Sequence, residues 1–143
     1  MSLRTAAFVL LSGTTAVGCN PPKHLTIETV GESMRFDQDT LVARAGQRVH
    51  LTLNNNADGP TMTHNWVLVR PGTEASVAAA GALAGREAGY VPSSPDVLAH
   101  TVPSQPHHSV DVTFTAPPVG RYPYICTNPG HWATMRGTLI TTP

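Results

Sequence analysis

The stretch CTNPGHWATM, residues 126–135, gathers three side chains that can bind a metal ion. Cys126 offers a thiolate, His131 an imidazole and Met135 a thioether. Five extended residues reach about 16 Å, whereas two ligands of one ion lie only a few Å apart. The Asn-Pro-Gly step between them is strong turn chemistry, so we expect the chain to reverse there. The loop is therefore predicted to point two sulfur atoms and one nitrogen at one place.

Each of these side chains has an ordinary explanation when it is taken singly. A lone cysteine is usually a small buried hydrophobe, a methionine fills a core, and a histidine is usually hydrogen-bonded or on the surface. Together, around a Pro-Gly turn, they favour a metal site. A fourth ligand would complete the site, and the candidates are the other histidines: His24, His50, His64, His100, His107 and His108.

The sequence positions of three of these histidines indicate whether they can join the site. His107 and His108 are adjacent, so in a strand they face opposite ways and cannot chelate one ion together. His64 opens the apolar run NWVLV after the loop-like ADGPTMT, which places it where a loop meets a strand. It would then lie at one end of a β-structure, where loops come together.

The donor set indicates which metal such a loop would hold. Two imidazoles, one thiolate and a weak thioether make up a blue copper electron-transfer site. Soft sulfur ligands favour Cu(I), and imidazole serves both oxidation states. Zinc also accepts cysteine and two histidines, but it prefers a stronger fourth ligand than methionine.

The N-terminus has the features of an export signal. Arg4 precedes an apolar run, residues 6–11, that is too short to span a bilayer, and small residues follow. We predict a signal peptide over residues 1–18. The ending AVGC resembles a bacterial lipoprotein signal with Cys19 as the acylated first residue, although Ala16 stands where a larger aliphatic residue is usual. The alternative is an ordinary signal peptide cleaved nearby.

These features predict a membrane-anchored lipoprotein of the periplasm or cell envelope, with residues 19–23 as the tether. The two cysteines of the chain, Cys19 and Cys126, then have separate roles. A disulfide between them is the ordinary outcome in an exported protein. Because Cys19 has another use, Cys126 is left as a single thiol in an oxidising compartment. Bound metal would explain a thiol that is otherwise a liability there.

Positioning the ligands requires a scaffold, and residues 24–143 predict one made of β-strands. Thirteen prolines, twelve glycines and 13% charged residues suit a turn-rich β protein, and a net charge of zero gives no sign of a nucleic-acid partner. We predict an all-β, antiparallel Greek-key sandwich of about seven or eight strands. Short strands with alternating side chains are predicted at 24–30, at two runs within 40–55 around a turn at 45–47, and at 108–116, 120–127 and 137–142. The denser apolar run at 64–70 predicts an inner strand.

An alanine-rich segment interrupts this pattern. Alanine has the highest helix propensity, so we predict one inserted short helix around residues 74–86, with Thr73 or Ser76 as its N-cap. Gly81 and Gly85 weaken it. The following VPSSPDV is expected to be a loop.

MTHNWVLV (62–69) and RYPYICTNPGHWATMRGTLI (121–140) resemble the cupredoxins, most closely the azurin and auracyanin group. Weaker likeness runs through LVARAGQRVHLTLNN and YVPSSPDVLAHT, so the resemblance covers most of residues 24–142. It implies a cupredoxin-like fold. It also implies one type 1 copper ion with four ligands: His64, Cys126, His131 and Met135.

The resemblance extends to the residues around the ligands. It implies that Asn65 hydrogen-bonds across to the ligand loop near Thr127 and holds the thiolate in place. Thr63 departs from the pattern, because a glycine whose carbonyl approaches the copper is common there. Asn128 also departs, since an aromatic residue often precedes the Pro-Gly step. The disulfide of azurin has no counterpart.

Asn128 is expected to influence the thiolate. Its amide would donate a hydrogen bond near the sulfur, either directly or by stiffening the loop, and such bonds tune the reduction potential of blue copper sites. Removing the amide in Asn128→Phe is then expected to lower the potential. The alternative is that Asn128 only makes the turn and faces water.

The resemblance implies a monomeric electron carrier, not an enzyme, that moves single electrons between redox proteins outside the cytoplasm. These partners are expected to dock near His131, on an apolar collar of Pro60, Met62, Pro129 and Trp132. The alternative for Trp132 is inward packing under the loop.

The sequence also bears on two other functions of copper proteins. A copper enzyme such as a nitrite reductase needs a second copper site, and the sequence shows no spare histidine cluster. A copper carrier or chaperone of the cell envelope favours exposed methionine-rich or histidine-rich tracts, and four scattered methionines do not supply one.

Overall fold

A computed structural model describes residues 21–143. The predicted signal peptide, residues 1–18, and Cys19 lie outside the described residues. The described chain forms eight strands, one α-helix and a short 3₁₀ turn. In chain order the elements are β1 Lys23–Glu28, β2 Thr40–Arg44, β3 Arg48–Asn54, β4 Val67–Val69, α1 Glu74–Ala84, the 3₁₀ turn Arg86–Ala88, β5 Val97–His100, β6 Ser109–Thr115, β7 Gly120–Ile125 and β8 Arg136–Thr142. The predicted fold class, a mostly β sandwich with one inserted helix, is confirmed.

The strands form two sheets, one in the order β1-β3-β6 and one in the order β2-β8-β7-β4-β5. Every connection except β4 to β5 and β7 to β8 carries the chain from one sheet to the other, as in a Greek-key sandwich. The expectation of a purely antiparallel sandwich was wrong, because β1 pairs with β3 and β2 with β8 in parallel. β1 and β3 run the same way because the chain reverses twice between them, at 29–36 and at 45–47.

The core lies between the sheets and follows the alternation of side chains. Ile27, Leu51 and Leu53 from the first sheet are fully buried, and they face Leu68 and Leu139 of the second. The outward residues of β1 and β3 in the first sheet are polar. Fully burying one such aliphatic side chain contributes about 1.5–3 kcal/mol, so this alternation determines which face of each strand turns inward.

The helix α1 packs on the outer face of the second sheet. Its buried face is Val77, Ala78 and Gly81, and the first two join a second apolar cluster with Val67, Val69 and Ile125. The helix ends at Ala84, before the predicted residue 86, because Gly85 takes a φ of 79°. Within residues 21–143 no helix is both long enough and apolar enough to cross a membrane.

Two strands differ from the prediction near the helix. β5, Val97–His100, pairs with β4 at the sheet edge, although this segment lacks alternation and only Ala99 is buried. β4 itself is shorter than the predicted 64–70. His64 makes an isolated bridge with Ser104 instead of joining the continuous strand.

Candidate metal centre

The ligand loop joins β7 to β8. Gly130 has a φ of 85° and His131 N donates to Asn128 O at 3.0 Å, so the chain reverses at the Pro-Gly step as expected. Met135 N then donates to His131 O at 2.9 Å, and Cys126 N donates to Met135 O at 3.0 Å. These backbone bonds close the loop and bring its two ends together.

His64 reaches the same place from the segment just before β4. Its backbone exchanges two hydrogen bonds with Ser104, at 3.1 and 2.7 Å, and its side chain is fully buried. Within residues 21–143 its Nε2 atom has no hydrogen-bond partner. The backbone bridge and the surrounding packing therefore hold the ring with Nδ1 directed at the ligand loop.

Three donor atoms converge in this structure. His64 Nδ1 lies 3.2 Å from His131 Nδ1 and 3.9 Å from Cys126 Sγ, and His131 Nδ1 lies 3.6 Å from that sulfur. The point equidistant from the three atoms lies about 2.1 Å from each, close to the roughly 2.0–2.3 Å at which imidazole and thiolate bind a metal. The residues therefore fit one bound ion.

Met135 supplies the fourth side chain. It is fully buried and belongs to the same packed cluster as Cys126, to which its carbonyl is hydrogen-bonded. The two imidazoles, the thiolate and the thioether are thus arranged as a type 1 copper site. His131 is half-buried and forms the side of the site nearest to solvent.

Burial shifts the titration of these groups in the metal-free protein. It raises the pKa of the Cys126 thiol to about 11, against the backbone N–H groups of Asn65 and Asn128, which lower it. Burial and the neighbouring His131 lower the pKa of His64 to about 4, and burial also lowers that of His131. At neutral pH the metal-free site therefore holds a neutral thiol and neutral imidazoles. A cation that binds the thiolate must displace the proton of Cys126.

Asn65 links the two segments that carry the site. Its Nδ2 donates to Thr127 Oγ1 at 2.8 Å and to Gly89 O at 3.0 Å, and its Oδ1 accepts from Thr127 N at 2.8 Å. Asn65 and Thr127 are both buried. The bonds run between the two segments in the place that the resemblance implied.

Asn128 does not approach the thiol through its side chain. Its Nδ2 donates to Thr63 O and, at 2.8 Å, to Thr63 Oγ1. The expected direct bond from this amide to the sulfur is therefore wrong, because the side chain points across the loop and only the backbone N–H faces Cys126. The amide ties the two loops together, as the stiffening alternative required. Asn128 is also buried, so it does not face water.

Glu32 and Asn55 support the site but carry no local sequence signal. Glu32 Oε1 accepts from Asp58 N at 2.6 Å and Gly59 N at 2.9 Å, and its charge acts on His64. Buried Asn55 donates to Met62 O at 2.8 Å. Both residues brace the segment before His64. Their role is visible only in the structure, because their hydrogen bonds join residues that are 7 to 27 positions apart in the sequence.

The other candidate histidines lie elsewhere. Among the described residues, His64, Cys126 and His131 are the one group of three such side chains whose donor atoms converge. His100, His107 and His108 are exposed. His24 and His50 lie on β1 and β3 of the first sheet.

The comparisons with known proteins agree with this geometry. The sequence model for copper binding proteins of the plastocyanin/azurin family matches residues 23–142. The chain is 39% identical to auracyanin-A of Chloroflexus aurantiacus over 122 residues, which cover 83% of this chain and 74% of that protein. It is also 39% identical to azurin of Achromobacter denitrificans over 121 residues, 80% of each chain.

The fold agrees as well. The solved structure of auracyanin A, a blue copper protein of Chloroflexus aurantiacus, matches with a TM-score of 0.81 at 38% identity, over 85% of this chain and 100% of that one. The resemblance to cupredoxins is thereby confirmed. By sequence, fold and the arrangement of its donor atoms, this chain belongs to the plastocyanin/azurin family of copper-binding proteins.

Proposed function

We propose that this protein is a blue copper electron carrier that passes single electrons between redox proteins outside the cytoplasm. His64, Cys126 and His131 would be its principal copper ligands and Met135 the weaker fourth ligand. One observation carries the proposal: donor atoms from two segments converge within 3.2–3.9 Å at a buried site.

Copper, when bound, supplies a centre that gains and loses one electron. The protein supplies rigidity, because the Asn65–Thr127 bonds and the closed ligand loop hold the donor atoms in place. Donor atoms that do not rearrange suit both oxidation states. The burial of Cys126 and Met135 excludes water from the sulfur side of the site. His131 connects this interior to the surface.

The surface around His131 supports docking of redox partners. Pro60 and Pro129 are exposed, and Met62 and Trp132 are half-buried. Trp132 also packs against the cluster under the loop, so the inward-packing alternative holds for part of its ring. An apolar rim of this kind favours brief contacts with a partner protein, with His131 as the electron port. The carrier is proposed to act as a monomer and not as an enzyme.

The test is the spectrum and voltammetry of the copper-loaded protein. We expect intense visible absorption from thiolate-to-copper charge transfer, which Cys126→Ser removes and Cys19→Ala leaves unchanged. We also expect one reversible one-electron wave without catalytic turnover. An equally blue Cys126→Ser protein would refute the ligand assignment. Rapid loss of copper to a weak chelator would instead favour the alternative function, a copper carrier or chaperone of the cell envelope.

The location is proposed from the N-terminal sequence. A signal peptide over residues 1–18 and acylation of Cys19 would tether the domain to a membrane surface, in the periplasm or cell envelope. Cys19→Ala is then expected to move the protein into the soluble envelope fraction, and Cys126→Ser is the matched control that stays with the membrane. Mass spectrometry that finds an unmodified Cys19 at the mature N-terminus, or cleavage elsewhere, would contradict acylation.

A further inference from the structure

Two histidines meet on the outer face of the first sheet. β1 pairs with β3 in parallel, in a register that sets His24 opposite His50 and Leu25 opposite Leu51. The leucines turn inward to the core. Since successive side chains of a strand alternate, both histidines point outward on one face. Their ring centroids lie 5.4 Å apart.

A carboxylate from β6 approaches the same pair. Asp111 Oδ1 lies 3.6 Å from His50 Nε2, and Thr52 Oγ1 donates to this oxygen at 2.6 Å. On the other side of the ring, His50 Nδ1 lies 3.1 Å from Thr113 Oγ1. When Nδ1–H donates to that hydroxyl, the Nε2 lone pair faces the carboxylate. Two lone-pair donors then face each other and suit a cation between them. The nitrogens of exposed His24 do not converge with this pair as the donor atoms of the buried centre converge, so His24 must turn its ring toward the pair to bind the same ion.

We propose that His24, His50 and Asp111 form a second metal site, which binds a divalent transition-metal ion and holds Cu(II) most tightly. Imidazole and carboxylate ligands suit Cu(II), and the affinity order of divalent ions places Cu(II) first. The Thr113 hydroxyl on the far nitrogen would orient His50, as hydrogen bonds to ligating histidines commonly do. The side chains of His50 and Asp111 are 38% and 55% exposed, so an ion reaches them from solvent.

This site is separate from the buried centre and goes beyond the electron-carrier proposal. Asn55, which donates to Met62 O beside the buried centre, follows His50 by five residues of extended chain. His50 therefore lies about 16 Å from that end of the sheet. The two histidines are 26 positions apart in the sequence, and only the parallel register brings them together.

The experiment uses the full chain with its buried site already filled with copper. Cu(II) is then added in a weak competing buffer, and electron paramagnetic resonance follows a tetragonal signal with nitrogen ligands. We expect one further ion per chain. His24→Asn and His50→Asn should each weaken its binding by about tenfold or more, and Asp111→Asn by less. The visible band of the buried site should persist in each variant, which reports that the fold is retained.

His107→Asn is the matched control. His107 Nε2 also lies close to an aspartate, 3.2 Å from Asp58 Oδ1, and is exposed, but the pair lacks a second histidine ring. It should leave the binding of the further ion unchanged. The proposal would be overturned if the chain took up no ion beyond the copper of the buried site. It would also be overturned if both His24→Asn and His50→Asn still bound the further ion tightly. His24→Asn, on an edge strand, decides the matter if His50→Asn does not fold.

Discussion

At the scale of single residues, the metal centre depends on two asparagines that bridge chain segments more than 60 residues apart. Asn65 and Thr127 exchange side-chain and backbone bonds across 62 positions. Asn128 donates to Thr63 across 65 positions. Because all four residues lie within two positions of His64 or Cys126, these bonds set the spacing between those two ligands.

Asn65→Ala is predicted to lower the free energy of unfolding by about 2–4 kcal/mol. The change removes three hydrogen bonds and leaves their partners on buried Thr127 and half-buried Gly89 unpaired, and each such loss costs roughly 1 kcal/mol or more. Urea denaturation of the metal-free protein measures it. Asn56→Ala is the control, since the side chain of exposed Asn56 donates to Glu28 at the surface and the backbone bond of Asn56 to Thr29 is kept. Equal losses in the two variants would show that the bridge adds nothing.

Asn128→Ala is predicted to reduce stability by about 1–2 kcal/mol, because its amide donates to Thr63 O and Oγ1. The reduction potential should change little, since the backbone N–H that faces the thiol remains. Protein-film voltammetry beside urea denaturation separates the two effects. A markedly lower potential at unchanged stability would restore the direct tuning role that the structure contradicts.

At the scale of elements, the pairing of β7 with β8 presses an aromatic ring onto a glycine. The register sets Tyr124 opposite Gly137, and the Tyr124 hydroxyl continues past it to donate to Gln38 O at 2.8 Å. A methyl group on Gly137 would meet the Tyr124 ring and lie 2.7 Å from Asp39 O. The buried tyrosine therefore requires glycine at this position of β8, directly after the ligand loop.

Gly137→Ala is predicted to destabilise the protein by about 1–3 kcal/mol or more, because the new methyl group overpacks a site bounded by backbone. Thermal unfolding of the copper-free protein measures the loss. Gly120→Ala on β7 is the matched control, since the nearest neighbour of its new methyl group would be the half-buried Tyr122 side chain, at 3.1 Å, and not backbone. A Gly137→Ala protein as stable as Gly120→Ala would show that Tyr124 does not need this space.

At the scale of the whole molecule, folding is coupled to protons at the metal centre. In the metal-free protein, burial lowers the pKa of His64 from 6.5 to about 4 and raises that of Cys126 from 9.0 to about 11. Between pH 4 and 6.5, His64 of the unfolded chain binds a proton that His64 of the folded protein does not bind. Between pH 9 and 11, Cys126 of the folded protein keeps a proton that Cys126 of the unfolded chain releases.

The metal-free protein is therefore predicted to be most stable between about pH 6.5 and 9, where His64 and Cys126 bind the same number of protons in the folded and unfolded states. Its free energy of unfolding should fall as pH falls from 6.5 toward 4, by at most about 1.4 kcal/mol per pH unit for each proton. It should fall again as pH rises from 9 toward 11. Urea denaturation on either side of both windows measures this. His64→Gln should flatten the acid limb, and an acid limb as steep as in the wild type would exclude His64 as its source.

Local sequence determined the kinds of element and the kind of chemistry. Alternation, together with one dense apolar run for β4, predicted seven of the eight strands, because a strand with one buried face repeats every two residues. The Pro-Gly turn predicted the reversal between Cys126 and His131, because turn chemistry lies within a few residues. Four-residue β5 was missed, since a short edge strand has one buried side chain and no repeat.

Only the tertiary structure decided which distant residues meet. Among the candidate histidines it brought His64 to the ligand loop, and it set His24 beside His50 on the outer face of the first sheet. It also directed the side chain of Asn128 to Thr63 and made two strand pairs parallel. These outcomes depend on the order and register of strands that are far apart in the chain. Alternation shows which face of a strand is buried, but not which strand lies beside it.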